Sequence, residues 1–523
     1  MLSVASVLED SARRYPERVA IVAEGHRWTY AELDAAANRL AHKLTSLGLS
    51  AGDRVALTCP NGAAFVAAHF GIIKAGLVTV PLNVLLTERE IAYHLEDSGA
   101  RAYLCHVDTP DLPLASTGSA GFARAQACDH FIPLETDGSP SGDDAPRATV
   151  SSFSTRQRSE TDTAVVLYTS GTTGRPKGAE LTHSNLVQQA LVLGRIFQVT
   201  PDDVFFGGVP MSHVGGLSLV LHNAIAAGAS LVMMPRYRPA RALELMRDEA
   251  VTVFMGVPTM YQMLLDAIQS SPEHARCADE AAKGLRLGLV GGAPPAPQLA
   301  DEFERRFNVR LMDGYGLSET SPVIAINRPG LPPRAGSVGT PVWGVEVSIR
   351  LDDGSLAGPG TSGEVMVRGH NVMKGYLGRP DATQAAIDSD GWFHTGDIGQ
   401  LDADRYLTIL GRHKDMIIRG GFNVYPREIE EIMLDHPDIT QAAVVGVPHQ
   451  SHGEEVKAFV VRASGATLTE QELIDWCHAA MAAYKYPRII EFRDSLPTNA
   501  VGKVSKADLL ARTPSLGRNY GHG

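Results

Sequence analysis

The sequence predicts an α/β fold: a large N-terminal domain of mostly parallel sheets flanked by helices, then a small α+β domain. Three observations carry this. Short β-rich runs alternate with helical patterns over most of the chain, a charged glycine-bounded segment interrupts the pattern near residue 411, and a second set of strands follows it. In the first region AVVLYTS (Ala164 to Ser170), ASLVMMP and VTVFMGVP read as strands. Between them Leu186, Ala190, Leu193 and Phe197 recur at helical spacing behind the cap candidates Thr182 and Ser184. The interrupting segment is GRHKDMIIRGG, Gly411 to Gly421, between the strand-like YLTIL and a helix opening at Pro426, where proline suits a first turn. Beyond it AAVVGVP and VKAFVV are strands, and Thr469 with Glu472 forms a capping-box signature ahead of Leu473, Trp476, Cys477 and Ala480. The expected domains are therefore 1–410 and 411–523.

Composition narrows the class of function. The 523 residues are 44% hydrophobic and 20% charged, an ordinary globular balance. Acidic residues outnumber Lys and Arg by 59 to 47, a formal charge of -12, which repels nucleic acid phosphates and anionic lipid and points to small-molecule partners. Cys59, Cys105, Cys128, Cys277 and Cys477 are scattered, with no C-x-x-C, so neither a disulfide framework nor a zinc site is expected. The N-terminus has Glu9 and Asp10 before any basic residue and no long apolar core, unlike a secretory signal. A cytoplasmic protein without integral membrane association is the expectation. The most apolar stretch, Gly216 to Pro235, contains His222, Asn223 and Ser230 and is split at Gly228 into a helix-like and a strand-like half, which reads as buried core. Residues 107–162 are rich in Ser, Thr, Asp, Gly and Pro and read as surface loop without chemistry.

The sharpest local signal is YTSGTTGRPKG, Tyr168 to Gly178, directly after a strand. Small and hydroxyl-bearing residues (Thr169, Ser170, Gly171, Thr172, Thr173, Gly174) let backbone N–H groups approach phosphate oxygens, and Lys177 adds charge. It is not a Walker A loop. Counting from Gly171, Pro176 stands where the second glycine is needed and Gly178 where the metal-binding hydroxyl belongs.

This segment resembles the phosphate-binding signature of the adenylate-forming enzymes, the superfamily of acyl-CoA synthetases, luciferases and peptide-synthetase adenylation domains. The resemblance extends from WTYAELDAAANRLAHKL at Trp28 to GKVSKADLL at Leu510, with several motifs in the same order. It implies roles for DGYGLSET, Asp313, Gly314, Tyr315, Gly316, Ser318 and Glu319 within it: adenine stacking on Tyr315, an α-phosphate contact from Ser318 and an Mg²⁺ ligand in Glu319 with Thr169 as hydroxyl neighbour. GGAP, with Gly292, Ala293 and Pro294, resembles the segment lining the adenine and acyl pocket. Asp397 in GWFHTGDIGQLD and Arg412 resemble ribose contacts, and His213 in PMSHVGGL resembles a gate between acyl pocket and thiol tunnel. Lys503 in LPTNAVGKVSK resembles the tail lysine that bridges carboxylate and adenylate. Gly420 and Gly421 resemble the border of the pantetheine channel, and Lys414 a hinge about which a mobile C-terminal domain turns between two reactions.

The implied chemistry is attack of a carboxylate on the α-phosphorus of ATP, then transfer of the acyl group to the thiol of coenzyme A. Charge gathering between two anions is stabilised by prearranged cations and dipoles, so no side-chain nucleophile is needed, and no G-x-S-x-G or H-E-x-x-H motif is present. Val338 to Asp397 lacks the insertion of acyl-AMP ligases that avoid coenzyme A, which favours coenzyme A over an acyl carrier protein as acceptor. A luciferase-like oxygenase and a nucleotide-binding regulator without turnover are the other readings; Lys503 and Glu319 speak against the second. The apolar, Met-rich segments Met211 to Leu221, Val253 to Met263 and Leu289 to Pro295 suit a medium or long fatty acid, with an aryl acid as alternative.

Overall fold

The computed structural model describes residues 2–141, 152–169, 176–332, 334–412, 415–419, 422–449, 453–481, 485–498 and 503–511. Ser170, Gly171, Thr172, Thr173, Gly174, Lys414, Gly420 and Gly421 lie outside the described residues. Among the described residues the strands form four sheets. The predicted α/β architecture is what the chain adopts, with two largely parallel sheets in the large domain and a mostly antiparallel sheet at the C-terminal end.

In the nine-stranded sheet, Leu311–Gly316, Leu287–Val290, Val253–Gly256, Val204–Gly207, Ser230–Met233 and Val19–Ala23 run side by side in parallel. Val204–Gly207 is flanked by Ser230–Met233 on one side and Val253–Gly256 on the other, so the strand order reverses there. Open α/β sheets bind ligands outside the carboxyl ends of the strands at such a switch point. The apolar stretch divides as expected, into a π-helix (Gly215–His222), a short α-helix (Asn223–Ala227) capped by Gly228 at φ 73°, and the strand Ser230–Met233.

The seven-stranded sheet holds parallel strands Arg54–Thr58, Val78–Leu82, Ala100–His106 and His130–Leu134, with Thr163–Thr169 parallel to Val78–Leu82 and paired in a hairpin with Lys177–Thr182. This corrects the reading of 107–162 as surface loop. Leu114–Arg124 is a helix and His130–Leu134 one edge strand of the sheet, with Leu114 and Leu134 buried. The glycines that suggested a loop serve close packing: a Cβ on Gly118 would stand 2.6 Å from Cys105 Sγ.

The helix Ala63–Lys74, AAFVAAHFGIIK, is apolar on every face and is buried along its whole length. It ends in a buried cation. Lys74 Nζ donates to Asp34 Oδ1 (2.6 Å) and Asn38 Oδ1 (2.7 Å) and lies 3.4 Å from Glu9, tying the helices Val4–Arg14 and Tyr30–Ser46 to its own. Removing one partner of a buried pair leaves charge uncompensated, so Asp34→Ala is expected to cost about 3 kcal/mol. Chemical denaturation checks this, and an unchanged midpoint would mean that Glu9 and Asn38 suffice.

A four-stranded antiparallel sheet, Val345–Arg350, Gly363–Gly369, Phe393–Leu401 and Leu407–Arg412, leads to the C-terminal part. Sheet membership changes between Arg412 and Ile417, and the core around Ile417, Ile429, Met433 and Leu473 is a cluster separate from the large domain's. Pro426 opens the helix Pro426–Leu434, and Thr469 and Glu472 close a capping box on Glu470–Ala480. Among the described residues no helix is long and apolar enough to cross a membrane.

Candidate active site

A continuous cleft of about 2820 Å³ opens at the carboxyl ends of the parallel strands and runs under the C-terminal domain. Thr169, Lys177, His213, Gly292, Ala293, Pro294, Asp313, Gly314, Tyr315, Gly316, Ser318, Glu319, Asp397, Arg412 and Lys503 all line it. Residues from more than 300 positions of chain thus meet in one space.

The DGYGLSET segment owes its form to a close approach. The strand Leu311–Gly316 runs into a tight 3₁₀ turn, Ser318–Thr320, and a Cβ on Gly316 would fall 1.8 Å from Pro322 O. Only glycine fits. Within the turn buried Thr320 accepts the Leu317 N–H (2.9 Å) and donates to Pro322 O (2.8 Å), which leaves Glu319 facing the cleft. Asp313, at the strand's end, receives the Asn327 side-chain amide, and burial raises its carboxyl above the usual range.

Glu319 Oε1 accepts from Thr169 Oγ1 (3.3 Å) and from Tyr376 Oη (3.0 Å). The Lys177 ammonium stands 5.1 Å from the centroid of the same Tyr376 ring, so one aromatic side chain separates the carboxylate from the cation. Tyr376 was not legible as a site residue. Its place comes from the pairing of Gly375–Tyr376 with Ala179–Glu180, which no local pattern announces.

A second cluster surrounds Asp397. Tyr315 Oη donates to Oδ2 (2.6 Å) and Arg412 Nε lies 3.2 Å from Oδ1. Burial raises the Asp397 carboxyl, opposed by Arg412, Tyr315 and Lys503, and burial with Asp397 pushes the Tyr315 phenol far up. A carboxylate offers about four acceptor positions, so two remain for ligand hydroxyls.

Lys503 reaches into the cleft beside Gly292, where a Cβ would stand 3.7 Å from its Cε. Burial and the Arg412 charge lower its pKa, while Asp397 and Glu319 oppose the shift. His213 sits at the mouth of the π-helix. Its Nδ1 accepts the Gly215 N–H (3.2 Å), and burial with the Lys503 charge pushes it down to about 4. The ring is therefore neutral near pH 7, its remaining proton on Nε2.

Residues 8–377 match the AMP-binding enzyme family and residues 428–503 its C-terminal domain. The chain belongs to the AMP-binding enzymes. It is 37% identical to the feruloyl-CoA synthase of an Amycolatopsis species across 96% of this chain and 97% of that one. It is 33% identical to a long-chain-fatty-acid–CoA ligase of Bacillus subtilis across 97% and 93%. ATP-bound MatB from Rhodopseudomonas palustris has the same fold, with a TM-score of 0.87 and 35% identity over 97% of this chain and 98% of that one. This AMP-binding enzyme is an acyl-CoA ligase that uses ATP and coenzyme A.

Mg²⁺ serves the family generally, and the donors here fit it. Among the described residues no three His, Cys, Asp or Glu side chains converge, so no all-protein cage exists. One carboxylate, Glu319, and one hydroxyl, Thr169, face a space large enough for phosphates. That matches an ion bound through one or two protein oxygens, with phosphates and water completing its shell.

Proposed function

We propose that this AMP-binding enzyme joins acids with a hydrophobic tail, medium or long fatty acids foremost and aryl acids as the alternative, to coenzyme A by way of an acyl-adenylate. The carrying observation is the arm of the cleft over the switch point. Met234, Met255, Met260, Leu219 and Leu289 line it and are buried. Its cations, Arg236, Arg238 and Arg241, are all exposed, with Arg238 held by Asp111 (2.9 Å) and Arg241 by Glu244 (2.6 Å). A second carboxylate deep in this arm would meet no buried cation among the described residues. The fatty-acid and feruloyl relatives support the same reading.

In the first half-reaction the acid's oxygen attacks the α-phosphorus and pyrophosphate leaves. Lys503 holds the reacting carboxylate against the adenylate, Lys177 and Ser318 meet phosphate oxygens, and Asp397 with Arg412 holds the ribose hydroxyls. Tyr315 presents its face to adenine. Bound at Glu319 and Thr169, Mg²⁺ supplies neutralising charge on the phosphates. In the second half-reaction the thiol displaces AMP from the acyl carbon. His213, neutral and already accepting at Nδ1, positions the acyl group and gates the pocket. The C-terminal domain, residues 411–523, turns about Lys414 between the steps, exchanging Lys503 for the face with Gly420 and Gly421. We place the enzyme in the cytoplasm, a reading supported by five buried cysteines that all remain free thiols.

A panel of acids tests the assignment through AMP formation that depends on coenzyme A. Each methylene buried in the arm is worth about 0.8 kcal/mol, so kcat/KM should rise about 4-fold per added carbon until the arm is full. A preference for malonate or succinate over octanoate and cinnamate-type acids would reject the hydrophobic-tail reading.

A further inference from the structure

Thr169 and Lys177 are cross-strand partners at the loop end of the hairpin Thr163–Thr169/Lys177–Thr182. Both of its stems are tied to one helix, Glu88–Ser98. Tyr93 Oη donates to Pro176 O (2.7 Å), just before Lys177, and Tyr168 Oη, just before Thr169, donates to Asp97 Oδ2 (2.9 Å). Tyr93 and Asp97 are one helical turn apart and so share a face. The other oxygen of Asp97 takes Arg379 Nη2 (2.5 Å), and Arg379 lies three residues beyond Tyr376, whose phenol meets Glu319. Asp97 is almost wholly covered, and its neighbour His94 sets its ring edge-on to Tyr168 at 4.4 Å. Burial, then Asp97, pushes the Tyr168 phenol far above its ordinary range, so it stays a donor. The helix is itself braced by a capping box between Thr87 and Glu90 and closed by Gly99 at φ 58°.

Three groups needed around the phosphates thus hang from a single helix face: Thr169 through Tyr168, Lys177 through Pro176, and Glu319 through Arg379 and Tyr376. We propose that Tyr93 and Asp97 are positioning residues for acyl-adenylate formation, holding Thr169, Lys177 and Glu319 at the spacing the phosphates require. This rests on the adenylation role assigned above to those three groups. It makes a selective demand, because pyrophosphate is present only in the first half-reaction. An acyl-adenylate already formed carries one phosphate and no leaving pyrophosphate, so its transfer to coenzyme A tolerates a loosened hairpin.

Tyr93→Phe deletes one hydroxyl, and Asp97→Asn keeps the shape of the side chain while removing its charge. Each variant is assayed for acid-dependent pyrophosphate release and for thioester formation from supplied acyl-adenylate, with its thermal midpoint recorded and the wild-type enzyme as reference. The expected result is a loss of about 10- to 100-fold in pyrophosphate release with thioester formation changed by less than about 2-fold, the scale at which small misplacements act. Pyrophosphate release unchanged in both variants would overturn the positioning role, as would equal loss of both half-reactions in folded Tyr93→Phe. A wild-type enzyme inactive in both half-reactions would overturn the functional reading and the positioning role together.

Discussion

Lys503→Ala is expected to lose acyl-adenylate formation by about 10²-fold or more while retaining thioester formation from supplied acyl-adenylate. The lysine comes from the end of the chain, yet its stem passes Gly292 in the large domain and its ammonium feels Arg412, Asp397 and Glu319. A fixed, partly desolvated cation stabilises charge passing between two anions far better than a mobile one does in water. In the role proposed for Lys503, that charge transfer is complete once the adenylate exists and the lysine has no further task. The pH dependence follows from the same environment. Burial and Arg412 place the folded-state value below that of an ordinary lysine, so the cation is lost, as pH rises, earlier than a solvated lysine would be. Adenylation in the wild type should therefore fall on its alkaline side below the usual lysine range, a limb absent from Lys503→Ala. Single-turnover measurement of each half-reaction checks the pair, and equal loss of both steps in a folded variant would refute the division of labour.

Glu319→Gln should slow adenylation by about 10²- to 10³-fold with the fold intact, the usual effect of removing one prearranged electrostatic contact. The substitution is conservative in shape. Its amide oxygen can still accept from Thr169 and Tyr376, so the turn that Thr320 braces is preserved and only the charge is lost. A neutral amide is a poor ligand for a hard divalent ion, so the variant should also need more Mg²⁺ to reach half its maximal rate. Pyrophosphate release measured across an Mg²⁺ series, with the denaturation midpoint as control, reads both effects. Near-normal release at the wild-type Mg²⁺ requirement would remove Glu319 from the metal site.

The sequence by itself determined whatever a few neighbouring residues can decide. Thr182, Thr469 and Thr87 each accept a backbone N–H two or three residues into their helices, and Pro426 begins another. Caps of this kind act over one turn and are legible wherever they occur. The order of the glycine- and hydroxyl-rich motifs likewise pointed to phosphate chemistry, because backbone approach to an anion depends on local residue type. Where composition misled, at 107–141, small residues packed a helix against Cys105, and only a neighbour in space reveals whether a glycine is there for freedom or for room. Tertiary structure alone decided the rest. Tyr315 meets Asp397 across 82 positions of sequence, Tyr168 meets Asp97 across 71, and Tyr376 meets Glu319 across 57. Each pair joins elements far apart in the chain: Asp97 lies on the helix Glu88–Ser98, Asp397 on the antiparallel strand Phe393–Leu401, and Tyr376 on a two-residue strand paired with Lys177–Thr182. Side-chain chemistry is written residue by residue, whereas the distances that turn it into a site are set by how distant helices and strands pack together, which no short stretch of sequence contains.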